Sequence, residues 1–199
     1  MAEPPVEEFV ETLRDGTRIL IRPIRPDDKE KLVEGLERLS PESRYRRFLR
    51  PVKQLSEREL RYLTEIDYTS HYAVGALAVD HPDQPGLGIA RYVRDPVDPH
   101  VAEAAVAVID DMHGRGIGSL LLDHLIDAAR RNGIDVFRSW ALAENRTVIE
   151  GLQALGADLE YVDGLIRIDL DLPERFQGSN LEQALRASAE GRMPVEPRR

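Results

Sequence analysis

The residue in this chain best suited to moving a proton is Glu103. It is the one charged residue of "VAEAAVAVI", Val101 to Ile109, and a carboxylate in so apolar a run is costly to bury without a partner or a purpose. Such a group is a candidate general base. An exposed strand end beside Pro99 accounts for the same residue without chemistry. Eleven residues after Glu103 begins "GRGIGS", where Gly114, Gly116, Gly118 and Arg115 precede an amphipathic run ending at Gly133. A helix N-terminus presents unsatisfied N–H groups and the positive end of its dipole, so glycines that let a pyrophosphate approach make it an anion cradle. A ligand-free strand-to-helix turn has the same composition. The order Gly114-Arg115-Gly116-Ile117-Gly118-Ser119-Leu120 lacks the last glycine of the dinucleotide fingerprint, and no Gly-Lys-Ser/Thr follows.

Composition removes several other chemistries. With no cysteine in 199 residues there is no disulfide, thiolate ligand or cysteine nucleophile, and five scattered histidines show no ligand spacing, so no metal is expected. A net charge of −9 argues against nucleic-acid binding and tolerates a cationic substrate. No apolar run approaches the roughly 20 residues of a membrane span, and "MAEPPVEEFVETLRDG" has no signal layout. A cytoplasmic protein with no membrane contact is expected. Residues 1–16 read as an N-terminal extension, 17–172 as one domain, and 173–199 as a polar segment with a short helix capped by Ser179 and a disordered end.

The elements that must position Glu103 and the glycine loop follow from periodicity. "TRILIR" is a strand halted by Pro23 and Pro26, with Asp27 as N-cap and Glu30 as its capping-box partner for a helix to about Leu39. Ser40-Pro41 starts a second helix, and Ser56 with Glu59 a third. "HYAVGALAVD", "GLGIARYVRD" and "VAEAAVAVID" read as an antiparallel meander. Gly114 to Asn132 is helical, burying Ile117, Leu121, Leu125 and Ala128. "VFRSWALA" is a strand, Asn145 caps a helix to Leu155, and "LIRIDLDL" is a last strand. The order is mixed α/β rather than a repeating βαβ array.

"HGRGIGSLLLDHLIDAARRNGI", preceded by "AEAAVAVIDD" and followed by "ALAENRTVIEGLQALGA", resembles the acetyl-CoA core of the GNAT superfamily of N-acetyltransferases. The resemblance implies a mostly antiparallel sheet splayed between its fourth and fifth strands and flanked by helices. The family's loop begins with Gln or Arg; His113 stands there, at a position that contributes largely through backbone groups. By resemblance, Val106, Ala107 and Val108 pair with the pantetheine arm through their backbone, and an N–H near Val108 stabilises the oxyanion. His113, Gly114, Arg115, Gly116, Ile117, Gly118 and Ser119 hold the pyrophosphate, and Asn145 meets the cofactor. The family's glutamate precedes the first loop glycine by the same eleven residues as Glu103, which makes Glu103 the general base. Many members carry a tyrosine acid seven residues after the asparagine; here that residue is Leu152.

"SPESRYRRFL", "LTEIDY" and the Ala102-Glu103 pair ahead of Asp110 narrow the resemblance to the catalytic domain of bacterial Pat-type protein lysine acetyltransferases. The implied activity is acetyl transfer from acetyl-CoA directly to an amine, with lysines of cytosolic proteins as the leading acceptor. A small-molecule amine N-acetyltransferase and a noncatalytic acyl-CoA-binding sensor are the alternatives, and homodimerisation is left open. Arg44, Arg46, Arg47 and Arg50 read as a solvated helix face or a grip on an acidic partner. His71 and Tyr72 are acceptor-cleft candidates, with His71 taken as structural, and Trp140 is expected in the core.

Overall fold

A computed structural model of the chain describes Pro5 and residues 7–172. The short helix expected after Ser179 lies outside the described residues. One eight-stranded sheet runs through the described part, in the order β1-β2-β3-β4-β5-β6-β8-β7. Its strands are β1 (Phe9–Thr12), β2 (Arg18–Pro23), β3 (His71–Ala78), β4 (Gly86–Arg94), β5 (Val101–Val108), β6 (Val136–Leu142), β7 (Asp158–Val162) and β8 (Leu165–Asp171). All neighbours are antiparallel except β5 and β6. The edge strand β1 comes from the stretch that the sequence reads as an extension; it pairs with β2 through four residues.

Three helices, α1 (Lys29–Glu37), α2 (Pro41–Phe48) and α3 (Glu57–Thr64), connect β2 to β3. Their starts show where local signals hold and where they yield. Ser40 caps α2 by accepting from the Ser43 N–H, and Ser56 and Glu59 form the reciprocal box on α3. The expected Asp27 cap on α1 is displaced by one residue. Pro26 opens a single 3-10 turn, Pro26–Asp28, and Asp28 accepts from the Arg25 N–H at 2.8 Å. Asp28 is drawn inward because its carboxylate also takes two bonds from the buried Arg22 guanidinium, at 2.8 and 2.7 Å. A paired buried charge outcompetes an ordinary cap.

On the other face of the sheet lies α4 (Ile117–Arg131), packed on β3, β4 and β5. Ile117, Leu121, Leu125 and Ala128 are buried as their spacing predicts, within the main core. The last helix, α5 (Arg146–Ala154), packs on β8. A smaller cluster of Leu36, Leu39 and Val52, with Phe48 and Leu55 against it, holds α1 and α2 together.

Two charged groups make the stability of this frame testable. Removing one member of a buried ion pair strands the other, so Asp28→Ala should cost about 3–5 kcal/mol in a denaturant titration. Asp123 on α4 is the opposite case: burial, then the charge of Asp127 one turn on, push its carboxyl up to about 7. A folded-state value above the unfolded one means that its contribution is full below the ordinary carboxylate range. That contribution is lost as pH rises to about 7. Asp123→Asn should therefore raise Tm by a few degrees at pH 8 and lose that advantage near pH 4.

Candidate acetyl-CoA and acceptor site

The site is organised by the end of one strand pairing. β5 and β6 pair only at Val101↔Val136, Ala102↔Phe137 and Glu103↔Arg138, while β5 stays paired to β4 as far as Val108 and β6 stays paired to β8 throughout. The sheet therefore splays between these two strands, the fourth and fifth when counted from β2. The Ser139 hydroxyl donates to the Ala104 carbonyl at 2.9 Å, where the ladder stops.

Beyond that point alternation decides which groups are open. The Ile109 N–H bonds the Leu87 carbonyl, so the backbone groups of Ile109, Ala107 and Ala105 point to β4, and those of Val108, Val106 and Ala104 to the gap. Val106 and Val108 thus present polar backbone groups where an extended ligand can add as a strand. Ala107, also expected to pair with the pantetheine arm, has its backbone opposite Ile89 in the β4 ladder instead.

The glycine loop lies at the end of β5. Gly114 and Gly116 have φ of 74° and 88°, a left-handed region in which a side chain is strained. Gly116 is the N-cap of α4 and no side chain caps that helix, so its first N–H groups are left for a ligand. A Cβ on Gly114 would meet nothing within 4 Å, which makes its requirement conformational. His113 does more than supply backbone: its Nε2–H donates to the Val108 carbonyl at 2.8 Å, tying the loop to the end of β5. Arg115 is exposed and pairs with Asp15 at 3.0 Å. Ile117 and Ser119 are buried at the start of α4.

Glu103 faces the other way. Residues opposite each other in the ladders share a face, so Glu103, Ala105 and Ala107 lie with Val93, Arg91 and Ile89, and with His71 and Gly75, on the side of α1 to α3. Val106 and Val108 lie on the α4 side, where a Cβ on Gly118 would be 3.9 and 3.7 Å from their side chains. Glu103 is exposed and has no hydrogen bond or ion pair among the described residues. His71 stacks near Tyr62 at 4.9 Å, and burial, with the Arg91 charge, pushes it down to about 4. It is neutral at pH 7 and its Nε2 accepts from Arg91 at 2.7 Å.

The arginine cluster is not one solvated face. Arg44 braces the carbonyls of Leu39, Lys53 and Glu37, while Arg46 pairs with Glu42 and Arg50 with Glu59. Arg47 turns inward over the Phe48 ring, 5.2 Å from its centroid. Tyr72 is buried against Tyr92 on the α4 face and does not reach the acceptor side. Trp140 is only partly buried and lies outside the core clusters, because β6 has left β5 at that level. Asn145 is the N-cap residue of α5, but its side chain makes no capping bond.

An open strand edge, a glycine-built helix N-terminus at its end and a free carboxylate across the same strand are the parts that an acyl-CoA and an amine require. The acetyltransferase (GNAT) family model matches residues 31–156. The chain belongs to the GNAT acetyltransferase family. It is 39% identical over 150 residues to the Pseudomonas aeruginosa acetyltransferase PA5475, covering 75% of this chain and 80% of that one. It is 34% identical over 166 residues to the acetyltransferase Pat of Mycolicibacterium smegmatis, covering 81% of this chain but only 48% of that protein. The crystal structure of the GNAT domain of S. lividans PAT superposes with a TM-score of 0.77 at 32% identity, over 85% of this chain and all of that domain.

As a GNAT acetyltransferase the protein uses acetyl-CoA as acyl donor. The residues present fit that donor at two points, the gap-facing backbone of Val106 and Val108 and the uncapped start of α4. Gly116→Val should force the loop out of its left-handed turn and weaken acetyl-CoA binding roughly tenfold or more by calorimetry. The accompanying loss of thermal stability should be small, since the loop is exposed.

Proposed function

We propose that this GNAT enzyme acetylates the ε-amino groups of lysines on cytosolic proteins. The observation that carries the reading is Glu103: an exposed carboxylate with no hydrogen bond or ion pair among the described residues, on the face opposite the glycine loop. An amine on the end of a long side chain can reach it there without the rest of the acceptor having to enter a closed chamber. The resemblance to Pat-type enzymes supports the same acceptor.

Acetyl-CoA, bound along the gap-facing edge of β5, supplies the thioester whose acetyl group is transferred. The chain's own residues do the rest. Glu103 accepts the proton of the incoming ammonium, directly or through a water, and so frees the amine lone pair. The gap-facing N–H of Val108, at the loop end of β5, is assigned to the pantetheine arm; five residues of extended strand put it about 16 Å from Glu103, so the reacting carbonyl lies nearer the fork. His113, by holding the Val108 carbonyl, fixes that strand end against the loop. Gly114, Gly116 and the first turn of α4 bind the phosphates, and exposed Arg115 can leave Asp15 to join them, since a surface ion pair is held weakly. Asn145, partly buried and without a capping role, is assigned to contact with the cofactor. Leu152 packs into the core, so no side-chain acid stands there; the thiolate is a weak enough base to depart near neutrality and is then protonated by solvent.

Glu103→Gln keeps the shape and removes the base. It should lower kcat/KM for lysine peptides by about 10²–10⁴-fold while leaving the acetyl-CoA dissociation constant nearly unchanged. Thiol release from acetyl-CoA, read together with mass spectrometry of a protein extract and a panel of small amines, tests the acceptor. Modified lysines that disappear with Glu103→Gln support the proposal, turnover of small amines only replaces the acceptor class, and tight binding without turnover makes the protein a sensor.

A further inference from the structure

Between the sheet and helices α1 to α3 lies a cavity of about 90 Å³, enough for several waters or a small side chain. Its walls are apolar, with Leu36, Phe48, Leu63 and Ile89 prominent, yet two guanidinium groups, Arg47 and Arg91, also line it. Arg91 is 5% exposed. Its three nitrogens are accounted for by neutral His71, the Leu63 carbonyl and, for Nε, nothing. Among the described residues neither arginine has a carboxylate within ion-pair distance. Asp28, the acidic residue on the cavity wall, is already held by Arg22, and Lys31 is turned to the Asp83 and Gln84 carbonyls. Glu103 is close enough to favour the charged form of Arg47 but not to pair with it.

A buried cation without an anion is costly, and Arg91 is one, with the half-buried Arg47 guanidinium beside it. Among the described residues nothing neutralises Arg91, which leaves the cavity open to an incoming carboxylate. We infer that the Arg47–Arg91 pair is a carboxylate-binding subsite for the acceptor, so that the enzyme prefers amines that carry a carboxylate a few bonds from the reacting nitrogen. The subsite rests on the placement of Glu103 as base in the proposed function. Arg91 lies opposite Ala105, so Glu103 is its diagonal neighbour on the same face, with Cα atoms on the order of 7–8 Å apart. An acceptor gripped at one end by the guanidinium fork presents its amine to Glu103 at the other. Burial and the Arg47 charge push Arg91 down to about 9, the electrostatic counterpart of a site that lacks its anion. The carboxylate can come from a small amino acid or from an acidic residue or chain end near a lysine.

Two measurements test the subsite separately from the acceptor reading. Hexanoate, with hexanamide as the uncharged control, is titrated into the full chain by calorimetry with no acyl donor present. Hexanoate should bind saturably, with hexanamide and the Arg47→Gln variant weaker by roughly 10- to 100-fold. Arg91→Lys, which keeps the charge but loses the fork, should fall between. Thermal melts confirm that each variant is folded. Absence of saturable hexanoate binding overturns the subsite whatever the enzyme acetylates. Acetylation of ε-aminocaproate is then compared with that of its primary amide, and of lysine peptides bearing Glu with those bearing Gln within three positions. A tenfold or greater preference for the charged member, abolished in Arg47→Gln, supports the inference, and the better pair names the source. Equal rates with hexanoate bound overturn the assignment to the acceptor, while hexanoate binding without turnover of any amine supports the subsite and overturns the proposed function.

Discussion

Everything distinctive about this molecule depends on β5 and β6 pairing for three residues and then parting. A strand inside a sheet normally has both backbone edges satisfied, and an open edge is a liability that proteins cover or blunt. Here β5 has full pairing on its β4 side and none on the other beyond Glu103. The Ser139 hydroxyl satisfies the first carbonyl past the fork and the His113 ring the last, so the unpaired stretch between them is bounded and short. That stretch is where a ligand with amide groups completes the ladder.

One strand then serves two sites because side chains alternate. Even-numbered residues of β5 aim backbone groups into the gap and side chains at α4; odd-numbered ones pair with β4 and aim side chains at α1 to α3. The donor side is thereby specified through backbone, which any apolar sequence supplies, and the acceptor side through side chains. This division explains why an otherwise uniform Ala/Val strand carries a single charge, and why that charge occupies an odd position. The same helices that roof the acceptor face are tied to the loop end of β5: Asp110 accepts from the Ser40 N–H at 3.2 Å, fixing the start of α2 next to His113.

Much of this was legible in the sequence, for reasons that can be named. Strong periodicity gave α4 and the meander, because burial on one face dictates them; the Ser40 and Ser56 caps are local signals that no tertiary contact opposes. The Asp27 cap was misplaced because the winning interaction, Arg22 with Asp28, joins a strand to a turn and has no local signature. Trp140 and Tyr72 both depart from their expected environments for a similar reason: which face of a strand is core depends on where the neighbouring strand has gone. The carboxylate at Glu103 stands out by contrast with its surroundings, whereas Arg91 does not, since "GLGIARYVRD" reads only as one strand of the meander. Its burial becomes visible only when α3 and Phe48 are laid over it.

The paired and unpaired arginines are the sharpest contrast in the structure. Arg22 and Arg138 each meet a carboxylate in two-point geometry, and both are thereby spent on holding elements together. Arg47 and Arg91 share an apolar cavity and have no such partner among the described residues. A fold that places paired arginines elsewhere has no architectural need to leave two cations facing an apolar wall. An apolar pair of similar volume would fill the space with no desolvation cost and with equal or better stability. The charges persist beside Glu103, on the one face of β5 where side chains rather than backbone meet the incoming molecule, which is where a charge can act on a substrate instead of on the fold.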